Sequence, residues 1–347
     1  MKIVKILIQT IITLIIAFAI FLTWATFSDY KPEEKILLAE NSNEVLTQDS
    51  LSVLIWNIGY AGLGEDMDFF YDGGEKMQTS KGIAKLNLDA ILKFLESAKN
   101  NDFLLLQEVD LNSKRSYEID QMEKIRSLLT EFNWYFAYNF KVNFVPMPLG
   151  NPLGKVNSGI LSGSKFTPAK VTRHQFSGNY AWPKSIFMLD RCYTSMAFPL
   201  NATDTLFIVN THNTAYDEGE LRALQTAQLK EWVMKKYKNG NYVVVGGDWN
   251  QTPPNIAIDY FGQNPASKNF TPKILPEDFL PNNWSLIYDE KAPTNRGLNT
   301  RLTENSYKTL IDYFLISPNI KSIDIETINL DFKHSDHNPV RLVFKIK

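Results

Sequence analysis

YVVVGGDWN, residues 242–250, decides how this chain is read. A β-branched apolar run reads as a buried strand, and Asp248 and Asn250 stand where it ends. Alone, GDWN would be an ordinary turn whose Asp and Asn bond their own backbone. The same arrangement recurs along the chain, however. Asn57 follows LSVLIW, Glu108 follows FLLLQ, His212 follows LFIVNT, Asp312 lies in TLIDYFLIS, and Asp336 with His337 precedes VRLVFKI. NSGILS (157–162) and TSMAFPL (194–200) also read as strands. Between the strands, residues 81–98 place Ile83, Leu86, Ala90, Ile91, Phe94, Leu95 and Ala98 on one helical face. A second helix is marked by Met122, Ile125, Leu128, Leu129 and Phe132, and a third covers roughly 218–237. Strands alternating with helices predict an α/β sheet protein, and in layered sheets polar strand ends gather along one rim.

Composition sets the bounds. Of 347 residues, 44% are hydrophobic and 13% aromatic, enough for a sizeable core and incompatible with a disordered or collagen-like chain. Lys plus Arg number 36 against 38 Asp plus Glu, so the net charge of −2 argues against a histone-like polyanion binder. It leaves a nucleic-acid enzyme open, because a metal site supplies positive charge locally. The single cysteine, Cys192, can form neither an internal disulfide nor a Cys-rich zinc site and reads as a small buried hydrophobe. With no internal repeat, the chain divides into an N-terminal segment (1–27), a polar linker (28–50) and one large domain (51–347).

Lys2 and Lys5 precede an uncharged apolar run from Ile6 to Phe27. As a helix at about 1.5 Å per residue, its 22 residues span roughly 33 Å, enough for a bilayer core of about 30 Å. The basic flank places the N-terminus in the cytoplasm and the rest of the chain across the membrane. A cleaved signal peptide with an exported domain is the alternative, although its apolar region usually runs only about 7–15 residues.

The strand-end residues share a chemistry. Carboxylates, carboxamides and imidazoles on one rim suit a hard cation such as Mg²⁺, Mn²⁺ or Ca²⁺, whereas zinc would favour more His or Cys. A carboxylate-held cation flanked by His suits attack of water on phosphorus. Taken singly, each residue has a duller reading: Glu108 as a solvated loop residue, SDH as a helix cap, His212 as a satisfied core histidine. The ordered series is what carries weight.

In order, WN (Trp56, Asn57), QE (Gln107, Glu108), NSGILS (157–162), NTH (210–212), GDWN (247–250), IDYFLIS (311–317) and SDHNPV (335–340) resemble the endonuclease/exonuclease/phosphatase superfamily over residues 51–347. Its branches include pancreatic-type deoxyribonucleases, abasic-site endonucleases, inositol-polyphosphate 5-phosphatases and bacterial neutral sphingomyelinases. The resemblance implies a four-layered α/β sandwich, two packed mixed sheets flanked by helices, and Mg²⁺-dependent phosphoester hydrolysis, with Mn²⁺ as a substitute. It implies that Glu108 is the principal metal ligand, with Asn57 beside it and Asp336 as a second metal-side carboxylate. Asp248 would orient or deprotonate the attacking water, and Asn250 would hold a phosphate oxygen. His337 would be the catalytic imidazole, its tautomer held by Asp312. His212 matches the second histidine of the deoxyribonuclease and sphingomyelinase branches and argues against abasic-site repair, where a tyrosine stands. The basic DNA-contacting segments of the nucleases and the lipid-phosphate signature of the 5-phosphatases are not recognisable.

The expected protein is therefore a monomeric, membrane-anchored phosphodiesterase or phosphatase acting on phospholipid head groups or other phosphodiesters. A surface nuclease on DNA or RNA is one alternative. A silent binding domain is another, disfavoured because every expected catalytic position holds a competent residue. FVPMPLGNPLGKVNSG (144–159) reads as a connecting loop, with a substrate lid or membrane-contacting loop as the alternative. Arg115, Arg191, Arg296 and Arg301 are candidates for phosphate contacts, although each taken alone reads as a surface residue. His174 and His334 fit no motif position and read as structural.

Overall fold

Strands buried on both faces read as continuous apolar runs, because successive side chains point to opposite sides of the sheet and both sides are covered. That is how the central strands are used here. The structure, a computed structural model, describes residues 1–42, 44–217, 219–262, 272–281 and 283–347. Among these, the chain runs α1 (Lys2–Phe27), β1 (Lys35–Glu40), β2 (Ser50–Asn57), α2 (Lys81–Ser97), β3 (Phe103–Asp110), α3 (Gln121–Leu128), β4 (Asn133–Val145) and β5 (Gly154–Ser164). It continues β6 (Lys170–Gln175), β7 (Cys192–Pro199), β8 (Thr205–His212), α4 (Glu220–Lys238) and β9 (Tyr242–Asp248). Short strands β10 (Gln251–Thr252), β11 (Lys273–Ile274), β12 (Ser285–Ile287), β13 (Asn295–Arg296) and β14 (Lys308–Thr309) follow, then β15 (Asp312–Ile316), β16 (Ile320–Thr327) and β17 (Val340–Ile346).

One sheet has the order β1-β6-β7-β8-β9-β15-β12 and the other β16-β17-β2-β3-β5-β4. Val53, Ile55, Phe103 and Leu105 of the second meet Met196, Ile208, Val244 and Phe314 of the first between the sheets. The opposite faces are covered by helices. Leu54, Trp56, Leu104 and Leu106 pack on Leu88, Ile91 and Ile125 of α2 and α3. Val209, Val243 and Val245 pack on Leu229 and Val233 of α4. The result is the expected helix–sheet–sheet–helix sandwich. Ser80 caps α2 by accepting from Ile83 N at 3.3 Å, and Asp120 caps α3 by accepting from Glu123 N at 2.8 Å.

The stretch read as a polar linker contains a strand: β1 pairs antiparallel with β6 at the edge of the seven-stranded sheet. Strands β4, β6, β12 and β16 were likewise not expected, and β4 carries Phe144 and Val145 of the stretch read as a loop. Helix α1 is exposed almost throughout and is long and apolar enough to cross a membrane. Its C-terminal end, however, rests on the domain. Phe21 stacks on Phe187 at 5.9 Å and meets the Phe144 ring edge-on at 6.2 Å, Asn143 Nδ2 donates to Ser28 O at 3.4 Å, and Ala25 is buried.

His174 and His334, expected to be structural, each lie against a polar neighbour. His334 lies 3.0 Å from Asn87 Oδ1, while His174 stacks on Tyr193 at 4.6 Å with Nε2 2.9 Å from Ser195 Oγ. Burial, helped by Lys35, Lys236 and Arg173, pushes the His174 pKa down to about 3. A group whose folded pKa lies below its unfolded value stabilises the fold fully above the unfolded pKa and loses that contribution as pH falls towards the folded one. From about pH 6.5 downward the unfolded chain takes up a proton the fold refuses, which costs about 2 kcal/mol by pH 5. Urea unfolding at pH 7 and pH 5 is expected to show His174→Gln losing about 2 kcal/mol less than wild type over that interval. Equal losses would contradict it.

Candidate active site

Pairing register brings the rim together. In the β8–β9 ladder His212 faces Asp248, and in the β9–β15 ladder Asp248 faces Asp312, so Asp248 stands between an imidazole and a carboxylate. Gly247, at φ +147°, allows this approach: a Cβ there would lie 2.0 Å from Thr211 O. From the other sheet Asn57, at the end of β2, reaches across. Its Nδ2 donates to Asp248 Oδ2 at 3.0 Å and to Glu108 Oε1 at 3.4 Å, while its Oδ1 accepts from Gly59 N at 3.0 Å.

Glu108 is aimed by a bulge. On β3, Leu106 faces Leu161 and Val109 faces Gly159, so Gln107 and Glu108 together oppose Ile160. Glu108 sits at φ +54°, an uncommon conformation for this residue, which turns its carboxylate out of the alternation. Its Oε1 lies 3.8 Å from His212 Nε2, and that nitrogen lies 3.4 Å from Asp248 Oδ2. Asn250, at φ +52°, donates its backbone N–H to Asp248 Oδ1 and its Nδ2 to Asn213 O, both at 2.9 Å. GDWN thus bonds its own backbone as a turn does, while Asp248 and Asn250 lie beside the other strand-end residues.

His337 ties the cluster. Nδ1 and Asp312 Oδ2 are 2.8 Å apart, whereas Nε2 lies 3.7 Å from Asp336 Oδ2 and 3.8 Å from Asp248 Oδ2. Burial works against a charged ring here. The carboxylates of Asp312, Asp336 and Asp248 outweigh it and hold the His337 pKa well above its ordinary value. His212 goes the other way: burial, reinforced by Arg191, His337 and Arg115, holds it well below, so this imidazole is neutral. Burial raises Asp248 to about 6 against the pull of His337, with Asp312 adding to the rise. Asp336 is raised to about 7 by burial and Glu108, opposed by His337 and Arg296. Two imidazoles in opposite charge states beside carboxylates of unequal acidity provide a donor and acceptors at neutral pH.

All eight expected site residues thus lie at this rim. Glu108, His212, Asp248, Asn250, Asp336 and His337 line one end of a cavity of about 300 Å³. Another part of its wall is the apolar cluster Leu63, Phe69, Phe140, Val145 and Leu153 with Phe187 packed against it, and Arg115, Asn139, Ser158 and Lys184 also line it. The tightest ligand-type group among the described residues is Asp248, Asp312 and His337, with one candidate atom from each within 4.8 Å of the others. There, however, His337 Nδ1 and Asp312 Oδ2 are spent on each other. Asp336 Oδ1 is buried beside the cavity without a hydrogen-bond partner among the described residues. A free buried carboxylate oxygen, with Glu108 on the same cavity and an Asn57 amide oxygen holding a spare lone pair, fits a hard divalent cation.

The arginines are corrected by the structure. Arg301 is exposed as expected, but Arg115, Arg191 and Arg296 are buried rather than on the surface. Arg115 is committed to Asp110, with Nη2–Oδ1 at 3.0 Å, and lies 3.6 Å over the Tyr60 ring. Arg296 donates to Gly64 O at 2.6 Å. Arg191 lines the cavity with its Nη1 buried and lacking a hydrogen-bond partner among the described residues. Sequence reasoning also missed Asn295, whose carboxamide sits 3.0 Å from His337 Nε2. Nothing local in TNRG marks it, since it reaches the site through a bridge to His337.

A sequence profile of the Endonuclease/Exonuclease/phosphatase family matches residues 56–337. No curated protein matches the sequence. Among solved structures, an endonuclease/exonuclease/phosphatase from Beutenbergia cavernae is similar at 16% identity and TM-score 0.57, covering 86% of this chain and 72% of that one. A Bacteroides vulgatus endonuclease/exonuclease/phosphatase gives 18%, 0.55, 86% and 100%. ANGEL2, a 2′,3′-cyclic phosphatase, gives 17%, 0.54, 91% and 99%. At such identities these neighbours speak for the fold, and the profile speaks for the lineage. Together they place the chain in the endonuclease/exonuclease/phosphatase family, hydrolases that act on phosphoester bonds.

Proposed function

We propose that the protein is a membrane-anchored, divalent-metal-dependent phosphodiesterase or phosphatase whose reaction is run by Asp248, His337 and Asp312. The observation that carries this reading is the 2.8 Å His337–Asp312 pair opening on the cavity that also holds Glu108 and Asp336. Glu108 and Asp336, with Asn57 beside them, would hold Mg²⁺ or Mn²⁺, which when bound neutralises phosphate charge and polarises a phosphoryl oxygen. Asp248, largely ionised at neutral pH with a pKa of about 6, orients the attacking water and accepts its proton. His337, charged, presents a donor to the phosphoryl oxygen, and Asp312 fixes which nitrogen does so. His212, being neutral, and the remaining amide hydrogen of Asn250 complete the donors around the phosphate. Arg191, whose buried Nη1 has no hydrogen-bond partner among the described residues, supplies a guanidinium suited to phosphate.

Helix α1 supports the anchored placement, with Lys2 and Lys5 cytoplasmic and residues 51–347 forming the catalytic domain on the far side. The test is direct. Full-length protein should pellet with membranes after an alkaline wash and release p-nitrophenol from methyl p-nitrophenyl phosphate or p-nitrophenyl phosphate when Mg²⁺ is present. Turnover of neither ester, with plasmid DNA cut instead, would favour the nuclease. A soluble chain starting near residue 26 would show a cleaved signal.

A further inference from the structure

Resting on that reading, we infer that the apolar end of the active-site cavity receives an acyl chain, so that the substrate is a lipid phosphoester drawn from the bilayer that α1 spans. Here Leu63, Phe69, Phe140, Val145 and Leu153 form one apolar cluster with Phe187 packed against it, and this cluster walls the cavity alongside Asp72, Arg115, Asn139, Ser158 and Lys184. A preformed apolar recess joined to a phosphate-handling rim matches a molecule with a charged head and a hydrocarbon tail.

The mouth is also held at the right height. Phe187 lines the cavity and, at 5.9 Å and 7° between planes, stacks on Phe21 of α1. The wall of the substrate cavity is therefore also the dock of the membrane helix. Trp182 Nε1 donates to Thr26 Oγ1 at 3.2 Å, fixing a second point of contact one residue before the helix ends. Large apolar side chains are exposed on the segments that carry the cavity wall, beside the exposed Lys184: Leu149 is 84% exposed, Trp182 61% and Met147 46%. Exposed side chains of this kind beside the end of a spanning helix belong in the head-group and acyl boundary, where Trp is favoured. The connection 146–153, which carries Met147, Leu149 and Leu153, runs from that surface into the cavity. A lipid leaving the bilayer thus meets apolar surface from the membrane to the rim. Hydrolysis there forms a bond from water oxygen to phosphorus, breaks the ester P–O bond, and passes a proton to the departing alcohol.

The experiment uses the full chain in phosphatidylcholine nanodiscs with Mg²⁺, and methyl and octyl p-nitrophenyl phosphate, the octyl ester kept below its aggregation concentration. Each buried methylene is worth roughly fourfold, so half the chain in the recess should raise kcat/KM about 100-fold from methyl to octyl. In Phe187→Gln and Leu153→Gln the octyl-to-methyl ratio should fall at least about tenfold. Leu149→Asp/Trp182→Asp, altered outside the cavity, should slow hydrolysis of hexadecyl p-nitrophenyl phosphate dissolved in the bilayer while sparing the methyl ester. A ratio near one with the methyl ester still turned over would overturn the inference and leave the phosphoesterase reading standing. A ratio unchanged in both cavity variants would overturn it too, by placing the chain elsewhere. Hydrolysis of no ester would instead sink the functional reading.

Discussion

His337→Gln is expected to lower kcat/KM by about 10²–10⁴-fold, the usual contribution of a positioned acid or base. Asp312→Asn should lose less, because the ring keeps its reacting nitrogen and forfeits only the charge that fixes its tautomer. The double variant should be little slower than His337→Gln alone, since groups acting as one unit are strongly non-additive. Stability should couple as well. Both residues are almost fully buried, so either single change leaves a buried charge without its partner, at a cost of about 3 kcal/mol. Removing both charges together should cost less than the two single losses summed. Steady-state kinetics and denaturant melts on the three variants read this out. Rate losses that multiply would mean that the two residues work independently.

Chelation is expected to have the larger effect. A cation at a phosphoryl site supplies several kcal/mol of charge stabilisation, so EDTA should reduce turnover at least about 10³-fold and Mg²⁺ or Mn²⁺ should restore it. Glu108→Gln keeps the shape and loses the charge, and should raise the metal concentration for half-maximal activity at least about tenfold. The requirement should also depend on pH. Asp336, with a pKa raised to about 7, must lose a proton before it binds metal. Below pH 7 protons compete, so more metal is needed at pH 6 than at pH 8. In Glu108→Gln the like charge that helps hold Asp336 protonated is gone, and this pH dependence should weaken. Metal titrations at the two pH values decide the matter; full activity in metal-free buffer would refute the assignment.

What the sequence disclosed follows from burial. Central strands such as YVVVGGD and FLLLQEVD are covered on both faces, and their apolar runs announce them. The outermost strands, β1 and β12 of one sheet and β16 and β4 of the other, are all absent from the sequence expectations. Edge strands bury one face only, and β16, IKSIDIET, is polar enough to pass for loop. The polar rim was legible because its residues terminate central strands at ordered positions. Arg191 was legible only as one phosphate-contact candidate among four, because a buried guanidinium looks, in one dimension, like any surface arginine. The apolar recess was hidden for another reason, since Leu63, Phe140, Leu153 and Phe187 come from four separate segments whose convergence is a property of the fold.

Strand β1 makes the proposed anchor a bracket rather than a leash. Seven residues, 28–34, separate the end of α1 from a strand hydrogen-bonded into the sheet, and fully extended they reach only about 25 Å. With α1 in a bilayer, as proposed, the catalytic mouth could not roam the aqueous space beyond the membrane, and its encounters would be those of a body diffusing in a plane. Turnover should then follow the mole fraction of substrate in the surface rather than its bulk concentration. Dilution of vesicles at constant composition would leave the rate per enzyme unchanged, whereas dilution of the substrate with inert lipid would lower it.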